Sequence, residues 1–533
     1  MMTSPSPRVT SQPASNSANG DSDQNSLSSL LAQRELSVRE LRALNLPLEE
    51  TTYLALGGGL GSFAWVDHLL ICGADPAQIV SIGFEPQPHS RYKRLCLNSQ
   101  IPDEARLRSD SGSTPDNIWG WPGYAAREIW QDLRQGRLAH AVSLGWQIFT
   151  EPVLAEPFTP KAGQVYASIE REARRIGWEK MWRFGRVRTL RKTTDGRYAV
   201  LYAPSLALRQ QTHKIIIAPY VHLALGYPGF RFLPDLQAYR EKTEDFRHVV
   251  NAYEDHHHLY RHLRRYGGTV LLRGRGIVAS RLIQRLAEER CLNPNIRVLH
   301  LMRSPTPEGA RYQFAGRLAE HHFEYQAYNF PKACFGGDLR FLFSQAGGAE
   351  RKRLIELWGG TTTANRREWR RIIREGLRDG WYTIRFGQVV QVEQDASGKL
   401  LTNFKPLDAP ETMLSLPADF IIDATGLDAE LESSPLLKDL LETYQLGKNT
   451  MGKLSVSDNF EVIGMQNGPG RLFASGAMTL GGPFAPVDSF IGLQYAAQLS
   501  LKTLIALGAP GLHPMSPLYS SRQWLRWARG VHP

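Results

Sequence analysis

Short apolar runs bounded by glycine or polar residues alternate along this chain with longer stretches of helical length and spacing. Runs such as 53–56 and 296–302 are typical of strands buried on both faces, and the longer stretches are typical of helices packed on a sheet. Strands that alternate with helices in this way indicate parallel βαβ units. We therefore predict an α/β fold.

The first 28 residues break this pattern. They are rich in Ser, Asn, Pro and Gln and contain almost no large apolar side chain, so they cannot bury enough surface to offset their ordering entropy. We predict a disordered lead over 1–28. Residues 29–49 follow as a short helix and linker, because apolar positions recur at helical spacing over 30–44 and Asn45 to Pro47 should end the helix.

A glycine-rich turn follows the first strand of the folded region. The strand 53–56 runs into Gly-Gly-Gly-Leu-Gly-Ser, a helix continues through Leu70, and a second strand over 79–84 ends at an acid. In such a βαβ unit glycines let the backbone approach a pyrophosphate at a helix N-terminus, and the acid accepts the ribose hydroxyls. The alternative is a glycine-rich turn without a ligand. The residues predicted to bind an adenine dinucleotide here are Gly57, Gly59, Gly61, Ser62 and Glu85.

A second segment repeats this plan. A strand over 269–273, a glycine turn, a helix through Leu286 and a strand over 296–302 follow one another, but the last strand ends at an arginine. A guanidinium there pairs with a 2′-phosphate that a carboxylate would repel, so this segment favours NADPH over NADH. The alternative is that Arg303 and Arg275 are solvent-facing loop residues. The residues predicted to bind the nucleotide are Gly274, Gly276, Ala279 and Arg303.

Composition narrows the remaining possibilities. The 533 residues carry a formal net charge of +11, but most local concentrations of basic residues also contain acids, so we expect solvated helix faces and no nucleic-acid partner. Four cysteines without a CxxC pair exclude a local zinc knuckle and a dithiol redox centre and favour a reducing compartment, so we expect a cytoplasmic protein. We expect no metal site, no signal peptide and no transmembrane segment; a peripheral membrane contact through the basic tail 509–533 stays open.

Two nucleotide sites in one chain resemble the layout of the two-dinucleotide-binding-domain flavoproteins. Three shorter motifs carry the resemblance: Ala-Leu-Gly at 224–226, Asp-Ala-Thr-Gly at 423–426, and Leu-Phe-Ala-Ser-Gly at 472–476 before a helix that begins near Asp488. The family usually places Asp after the last of these glycines, where this chain has Ala477. The resemblance implies FAD as the first cofactor, NADPH as the second, and further cofactor contacts at Thr425, Gly426, Gly476 and Asp488, the last also as the helix N-cap.

The segment before the second glycine turn resembles the fingerprint of class B flavin monooxygenases in a degenerate form. Val250, Ala252 and Tyr260 replace its usual Phe, Gly and Trp, and His256 alone is unchanged. Asn329 resembles an Asn near the nicotinamide ribose in N-hydroxylating relatives. The resemblance implies catalytic roles for His256 and Asn329. The alternative is that His256 and the two histidines after it are polar surface residues.

These observations together predict two Rossmann-like domains, with the NADPH domain inserted into a discontinuous FAD domain. We assign 50–228 and 381–508 to the FAD domain, 229–248 to a linker, and 249–380 to the NADPH domain with a helical insert. The implied function is a FAD-dependent, NADPH-using monooxygenase of a small substrate that offers a nitrogen, a sulfur or a carbonyl. An NADPH-linked flavin reductase or dehydrogenase, and a non-catalytic FAD-binding scaffold, remain the alternatives. The sequence does not indicate an oligomeric state.

Overall fold

The computed structural model describes residues 31–44, 46–109, 111–120, 123–151, 158–205, 213–312, 315–326, 334–358, 363–364 and 367–533. The predicted disordered lead 1–28 and the candidate residue Asn329 lie outside these ranges. The described helices are Val38–Ala43, Leu60–Ile71, Ser90–Asn98, Gly123–Arg134, Leu138–Thr150, Ala162–Ile176, Trp178–Met181, Pro234–Thr243, His257–Tyr266, Ile277–Arg290, Gly337–Gln345, Gly348–Trp358, Arg367–Arg378, Pro435–Tyr444, Phe490–Ala506 and Pro517–Ala528.

The first sheet is wholly parallel and carries the first glycine turn. Alternate side chains of its central strand enter two separate cores: Tyr53 and Ala55 pack with Phe63, whereas Leu54 and Leu56 pack on the opposite face. Burial on both faces explains why this strand is a continuous apolar run. In spatial order the strands are Arg471–Ala474, Tyr220–Leu223, Tyr53–Leu56, Ile79–Gly83 and Trp182–Phe184.

An outer sheet of five strands packs on the core that contains Leu54 and Leu56. The predicted helix over 30–44 is partly wrong, because Glu35–Leu36 forms a strand that pairs with Lys192 and Thr193, and the helix begins only at Val38. Leu36 and Leu41 are both buried, so the apolar spacing reflects burial of two different elements. In spatial order the strands are Glu35–Leu36, Arg186–Thr193, Tyr198–Ala203, Lys214–Ala218 and Leu48–Glu50.

The second sheet has seven strands and corrects the predicted domain boundary. Its order is Val249–Asn251, Phe420–Asp423, Gly268–Arg273, Ile296–Met302, Tyr382–Gln394, Leu400–Pro406 and Leu414–Ala418. The sequence assigned the four strands of the segment 382–423 to the FAD domain. They belong instead to the second domain. Tyr382–Gln394 pairs with Ile296–Met302, and Phe420–Asp423 lies between Val249–Asn251 and Gly268–Arg273.

The predicted linker 229–248 is also largely part of the second domain. Its helix Pro234–Thr243 buries Leu236 and Tyr239 in a core with Leu271 and Ile421. The chain passes between the two domains twice, and we call these two segments the crossings. They pair with each other as a short antiparallel ribbon of Gly229–Phe230 with Leu427–Asp428. The second domain is therefore an insert of about residues 231–426 within the first.

The C-terminal segment beyond residue 508 is structured. It forms the helix Pro517–Ala528, called the C-terminal helix below, which begins at the N-cap Ser516. The Tyr519 hydroxyl donates to the carbonyl of Ile71 and so attaches this helix to the first domain. Within the described residues, no helix is long and apolar enough to cross a membrane.

Candidate dinucleotide-binding sites

The first glycine turn is held against the first sheet by its own backbone. The Gly57 amide donates to the carbonyl of Ile82 at 2.9 Å, and Gly57 has a φ of 135°. A Cβ at Gly57 would lie 2.1 Å from the carbonyl oxygen of Ala224, and one at Gly58 would lie 2.7 Å from the Cα of Gly83. The fold itself therefore requires glycine at both positions.

Gly59 differs from these neighbours because the protein does not fill the space beside it. It is the N-cap of the helix Leu60–Ile71, and a Cβ built there meets no described atom within 4 Å. At Gly61 a Cβ would approach Ala224 Cβ at 2.9 Å and Ser475 Oγ at 3.1 Å, so this glycine permits close helix–strand packing. The open space therefore lies at a helix N-terminus, where free amide groups and the helix dipole favour an anion.

Buried polar groups near this turn lack protein partners. Among the described residues, Ser62 Oγ, Ser475 Oγ and Trp182 Nε1 are buried and have no hydrogen-bond partner. Trp182 Nε1 lies 3.4 Å from the Cβ position of Gly58, and Ser475 Oγ faces Gly61. Unpaired buried polar groups are rare in folded proteins. This donor set, with the open space at Gly59, fits the polar parts of a dinucleotide such as FAD.

Glu85 lies at the edge of the same site. It follows the strand Ile79–Gly83 by two residues and forms an ion pair with Arg94 at 2.6 Å. Its side chain is 26% exposed, so a carboxylate oxygen can still accept hydrogen bonds from ribose hydroxyls. The structure thus brings together all five residues that the sequence assigned to this site.

The second glycine turn repeats the geometry of the first. Gly274 has a φ of 107°, and a Cβ there would lie 2.4 Å from the carbonyl oxygen of Ala424. Gly276 is the N-cap of the helix Ile277–Arg290, and a Cβ there meets no described atom within 4 Å. Ala279 is fully buried one turn into this helix. A second open helix N-terminus therefore exists on the second sheet.

The two short crossover motifs correspond to each other across the domains. The Ala224 amide donates to the Leu56 carbonyl at 2.8 Å, and the Ala424 amide donates to the Arg273 carbonyl at 2.7 Å. Each alanine thus binds the residue just before the first glycine of its own domain. The predicted boundary placed Thr425 and Gly426 in the first domain, which is wrong because this motif packs on the glycine turn of the second domain.

Thr425 is tied to its own turn. Its amide and hydroxyl both donate to Asp423 Oδ1, at 2.9 and 2.6 Å. Asp423 also accepts from the Leu233 amide at 2.8 Å, and burial raises the pKa of its carboxyl. This network joins the end of a second-sheet strand to the beginning of the helix after the first crossing.

The strand that ends at Arg303 is shifted in register relative to its counterpart. Leu56 pairs with Ile82 in the first sheet, and Arg273 pairs with Leu301 in the second, so Ser304 occupies the place of Glu85 and Arg303 stands one residue earlier. Arg303 is exposed. Arg275 donates to the Ser304 carbonyl at 2.9 Å and brings a second guanidinium to this edge. No acid occupies the position that Glu85 holds in the first domain.

His300 is a residue that the sequence analysis missed. It is fully buried in the second sheet, and burial lowers the pKa of its imidazole to about 4. The neutral ring donates from Nε2 to the Gly274 carbonyl at 2.5 Å, and the Tyr382 hydroxyl donates to Nδ1 at 2.7 Å. His300 therefore positions the second glycine turn. The available signal was a histidine in the apolar half of a strand whose other polar residue, Arg297, lies near its start.

The closing motif of the first domain contains one correction. Gly476 has a φ of 82°, and the Ser475 amide before it donates to the Leu223 carbonyl at 2.9 Å. The N-cap of the helix Phe490–Ala506 is Ser489, whose hydroxyl accepts from the Gly492 amide at 3.1 Å. Asp488 is exposed and accepts instead from the Tyr227 hydroxyl at 2.6 Å. Asp488 is therefore not the cap.

His256 lies inside the second domain. It is fully buried, which contradicts the alternative that made it a surface residue, and burial lowers its pKa to about 4. Its Nδ1 donates to the Glu254 carbonyl at 2.8 Å, and its Nε2 accepts from the Tyr260 hydroxyl at 3.0 Å. Both ring nitrogens are thus engaged by neighbouring residues of one turn and helix. These contacts support a positioning role for His256, and its catalytic role stays a prediction.

Two helices of the inserted domain reach back to the first domain. Gly337–Gln345 and Gly348–Trp358, called the capping helices below, pack together against Ala485 of the closing segment. The Thr450 hydroxyl donates to the Gly348 carbonyl at 2.7 Å, which attaches the second capping helix to the first domain. The predicted helical insert is thus present and covers the segment after the closing motif. Among the described residues, no cluster of three or more potential metal ligands occurs.

Comparisons with known proteins support the fold. No family model matches the sequence, and no curated protein matches it. Among solved structures, the chain is similar to the ornithine hydroxylase from Pseudomonas aeruginosa, with 14% identity, a TM-score of 0.59, and coverage of 86% of this chain and 99% of that one.

Two further solved structures give the same result. The cadaverine monooxygenase of desferrioxamine biosynthesis from Erwinia amylovora, solved bound to FAD, has 12% identity, a TM-score of 0.59, and coverage of 87% of this chain and 96% of that one. The ornithine N-hydroxylase from Kutzneria, solved with reduced FAD, NADP⁺ and L-ornithine, has 14% identity, a TM-score of 0.58, and coverage of 86% and 99%. This chain therefore has the fold of these flavin-dependent N-hydroxylating monooxygenases, as its resemblance to class B flavin monooxygenases implied.

Proposed function

We propose that the protein is a FAD-dependent, NADPH-using monooxygenase that acts on a small molecule, with an amine nitrogen as the favoured acceptor of oxygen. One observation carries the proposal. Two glycine turns in one chain each leave open the space beside a helix N-terminus, the first with an acid at its edge and the second with arginines. An amine is favoured over a thioether or a ketone because the similar structures act on ornithine and cadaverine.

The residues of the first domain would hold FAD. The amides at the start of the helix Leu60–Ile71 would face the pyrophosphate, and Glu85 would accept from the ribose hydroxyls. When bound, FAD supplies the acceptance of hydride and the activation of oxygen. The protein's own contributions are orientation, the exclusion of water by the capping helices, and the positive helix end at Ser489.

The arginines of the second domain would select NADPH. A guanidinium pairs with a 2′-phosphate in two parallel hydrogen bonds, and Arg303 and Arg275 both lie at the edge where we propose that the adenosine ribose of the nucleotide binds. Free cysteines at all four positions are in keeping with a reducing compartment, and we propose the cytoplasm. The exposed basic tail also supports the peripheral membrane contact that the sequence left open.

Absorption and oxygen-consumption measurements test the proposal. The purified protein should be yellow, should bleach when mixed with NADPH without oxygen, and should release hydroxylated product when oxygen and a diamine or a basic amino acid are added. NADPH oxidation that yields only peroxide with every amine, thioether and ketone tested would favour a reductase. A yellow protein that NADPH does not bleach would favour the non-catalytic FAD-binding scaffold. A colourless protein that takes up no added FAD would contradict the proposal.

The nucleotide preference has its own test. Arg303→Ala should raise the apparent Kd for NADPH by about one to two decades, the worth of a charge-assisted pair, and should leave the Kd for NADH nearly unchanged. Arg275→Ala should do the same if both guanidiniums contact the phosphate. The matched control is Arg297→Ala, an exposed arginine on the strand Ile296–Met302 away from this edge. Equal weakening of NADPH and NADH by Arg303→Ala would make Arg303 a structural residue.

A further inference from the structure

Two consecutive helices of the first domain expose an unusual amount of apolar surface. Gly123–Arg134 and Leu138–Thr150 are joined through Gly136, and we call them the hairpin. Six large apolar side chains on the hairpin are between 43% and 83% exposed. Scattered exposed apolar residues are normal, but a contiguous patch marks an interaction site. The six are Trp130, Leu133, Leu138, Val142, Trp146 and Phe149.

Four of these six form a single stripe on the second helix. Leu138, Val142, Trp146 and Phe149 follow one another at spacings of four, four and three residues, so their side chains lie along one face. The Trp146 and Phe149 rings are 6.2 Å apart. Residues 138–150 contain no Asp, Glu, Lys or Arg. A helix of this composition is uncommon on a surface that faces only water.

The charged groups that surround the stripe are basic. Arg127, Arg134 and Arg137 are exposed on the hairpin, whereas its two acids are buried. Glu128 is paired with Arg106, and Asp132 is paired with Arg137 and His140. The hairpin therefore exposes guanidinium groups and no carboxylate.

A cleft of about 1180 Å³ continues this surface to the C-terminal helix. Trp130 of the hairpin and Trp524 and Trp527 of the C-terminal helix line it. Arginines of the hairpin and of the helix Ala162–Ile176 also line it, as does Arg529, the C-cap of the C-terminal helix. The C-terminal segment 509–533 contains no Asp or Glu, and Leu518 on it is 87% exposed. The basic and aromatic character thus extends over two separate elements of one surface.

The carboxylates at the floor of the cleft are already engaged. Asp116 accepts from the Tyr124 hydroxyl at 2.6 Å and from Ser168, and Glu172 is paired with Arg175. Arg127 and Arg171 both donate to the Ser168 hydroxyl at 3.0 Å, and neither forms an ion pair with a described carboxylate. Their positive charge is therefore available to an anion from outside.

We propose that the hairpin and the C-terminal helix form a docking surface for a membrane that contains anionic phospholipid. The apolar stripe would enter the boundary between headgroups and acyl chains, the tryptophans would lie at headgroup level, and the arginines would pair with lipid phosphates. A second copy of the chain is a poorer occupant, since a twofold contact would bring the same unpaired arginines together without acids to meet them.

Co-sedimentation of the full-length protein with vesicles tests this surface. Vesicles of phosphatidylcholine with about a third phosphatidylglycerol should bind the wild type, and pure phosphatidylcholine should bind it far less. Trp146→Ser with Phe149→Ser should weaken binding about tenfold or more, because it removes two inserted aromatic side chains. Arg127→Gln with Arg134→Gln should abolish most of the preference for anionic lipid.

A matched control uses exposed apolar residues elsewhere. Val390→Ser with Leu414→Ser removes two such side chains from the second sheet, and vesicle binding should stay at the wild-type level. All variants change exposed side chains, so circular dichroism and bound flavin should match the wild type, which separates this test from that of the proposed function. A wild type that stays in the supernatant overturns the proposal, as does a dimer that the Trp146→Ser and Phe149→Ser pair dissociates.

Discussion

Neighbouring glycines of one turn serve different requirements. Gly57 and Gly274 are needed by the polypeptide itself, because a Cβ at either would collide with the carbonyl of the crossover alanine. Gly59 and Gly276 face space that no described atom fills. A substitution at the second pair therefore reports on a ligand, whereas one at the first pair reports on folding.

Reciprocal glycine substitutions give the sharpest test of the two sites. Gly59→Ala should weaken FAD binding by about tenfold or more while NADPH binding persists, and Gly276→Ala should do the reverse, since a methyl group occupies the approach of each pyrophosphate. Flavin absorbance and calorimetric titration with NADPH measure the two effects. Gly57→Ala is the contrasting variant and should reduce soluble yield. Full FAD content in Gly59→Ala would contradict the assignment.

Buried histidines make stability depend on pH. Burial lowers the pKa of His222 to about 3, and both of its ring nitrogens lack protein partners among the described residues. In the unfolded chain the His222 imidazole binds a proton with a pKa of 6.5. The contribution of His222 to the free energy of unfolding is therefore fully present above that pH and is lost as the pH falls from 6.5 towards 3. His256 and His300 add the same dependence down to a pH of about 4, because burial lowers the pKa of each to about that value.

The pH dependence has a single-residue test. His222 stacks on Trp65 with ring centroids 5.1 Å apart, so His222→Phe keeps the packing and removes the titrating group. Between pH 7.5 and 5.5 the wild type should lose about 1.4 kcal/mol more unfolding free energy than this variant. Urea denaturation at the two pH values measures it. Parallel losses in both proteins would mean that His222 is protonated when folded.

At the scale of elements, the helix Phe490–Ala506 depends on a local cap. Ser489 satisfies the Gly492 amide, whereas Asp488 points to Tyr227. Ser489→Ala should lower the free energy of unfolding by about 0.5–2 kcal/mol, and Asp488→Ala should cost clearly less. Thermal and urea unfolding of the two variants measure the difference. A larger loss for Asp488→Ala would return the cap to the residue that the sequence suggested.

At the scale of the whole molecule, the inserted domain has cores of its own. Two apolar clusters consist only of residues between 232 and 424, and the sheet within these limits is complete. A fragment of residues 231–426 should therefore unfold cooperatively and bind NADPH without FAD. Calorimetric unfolding and NADPH titration measure both.

The boundary drawn from the sequence supplies the control fragment. Residues 249–380, the predicted NADPH domain, lack Phe420–Asp423, which lies between Val249–Asn251 and Gly268–Arg273 in the sheet. Removing this strand leaves the other two without their hydrogen-bonded neighbour. We expect the shorter fragment to be unfolded or aggregated. Equal cooperativity in both fragments would contradict the revised boundary.

Features that depend on neighbours in the chain could be predicted from the sequence. The strand, the glycine turn, the helix start and the residue that ends the next strand lie within about thirty residues, and the backbone conformation at Gly57 and Gly274 follows from local sterics. The α/β fold and the two glycine turns of the predicted nucleotide sites could therefore be predicted from the sequence.

Features that depend on distant pairing were decided only by the tertiary structure. An apolar run such as Phe420–Asp423 indicates burial on both faces but not which strands flank it, so its sheet could not be inferred. Three further features likewise depend on the elements that pack beside them. They are the burial of His256, the hydrogen bond between His300 and the Gly274 carbonyl, and the exposure of the hairpin. The spacing of apolar residues predicts which side chains are buried together on one face of an element. Which element packs on that face depends on contacts between residues that are far apart in the chain.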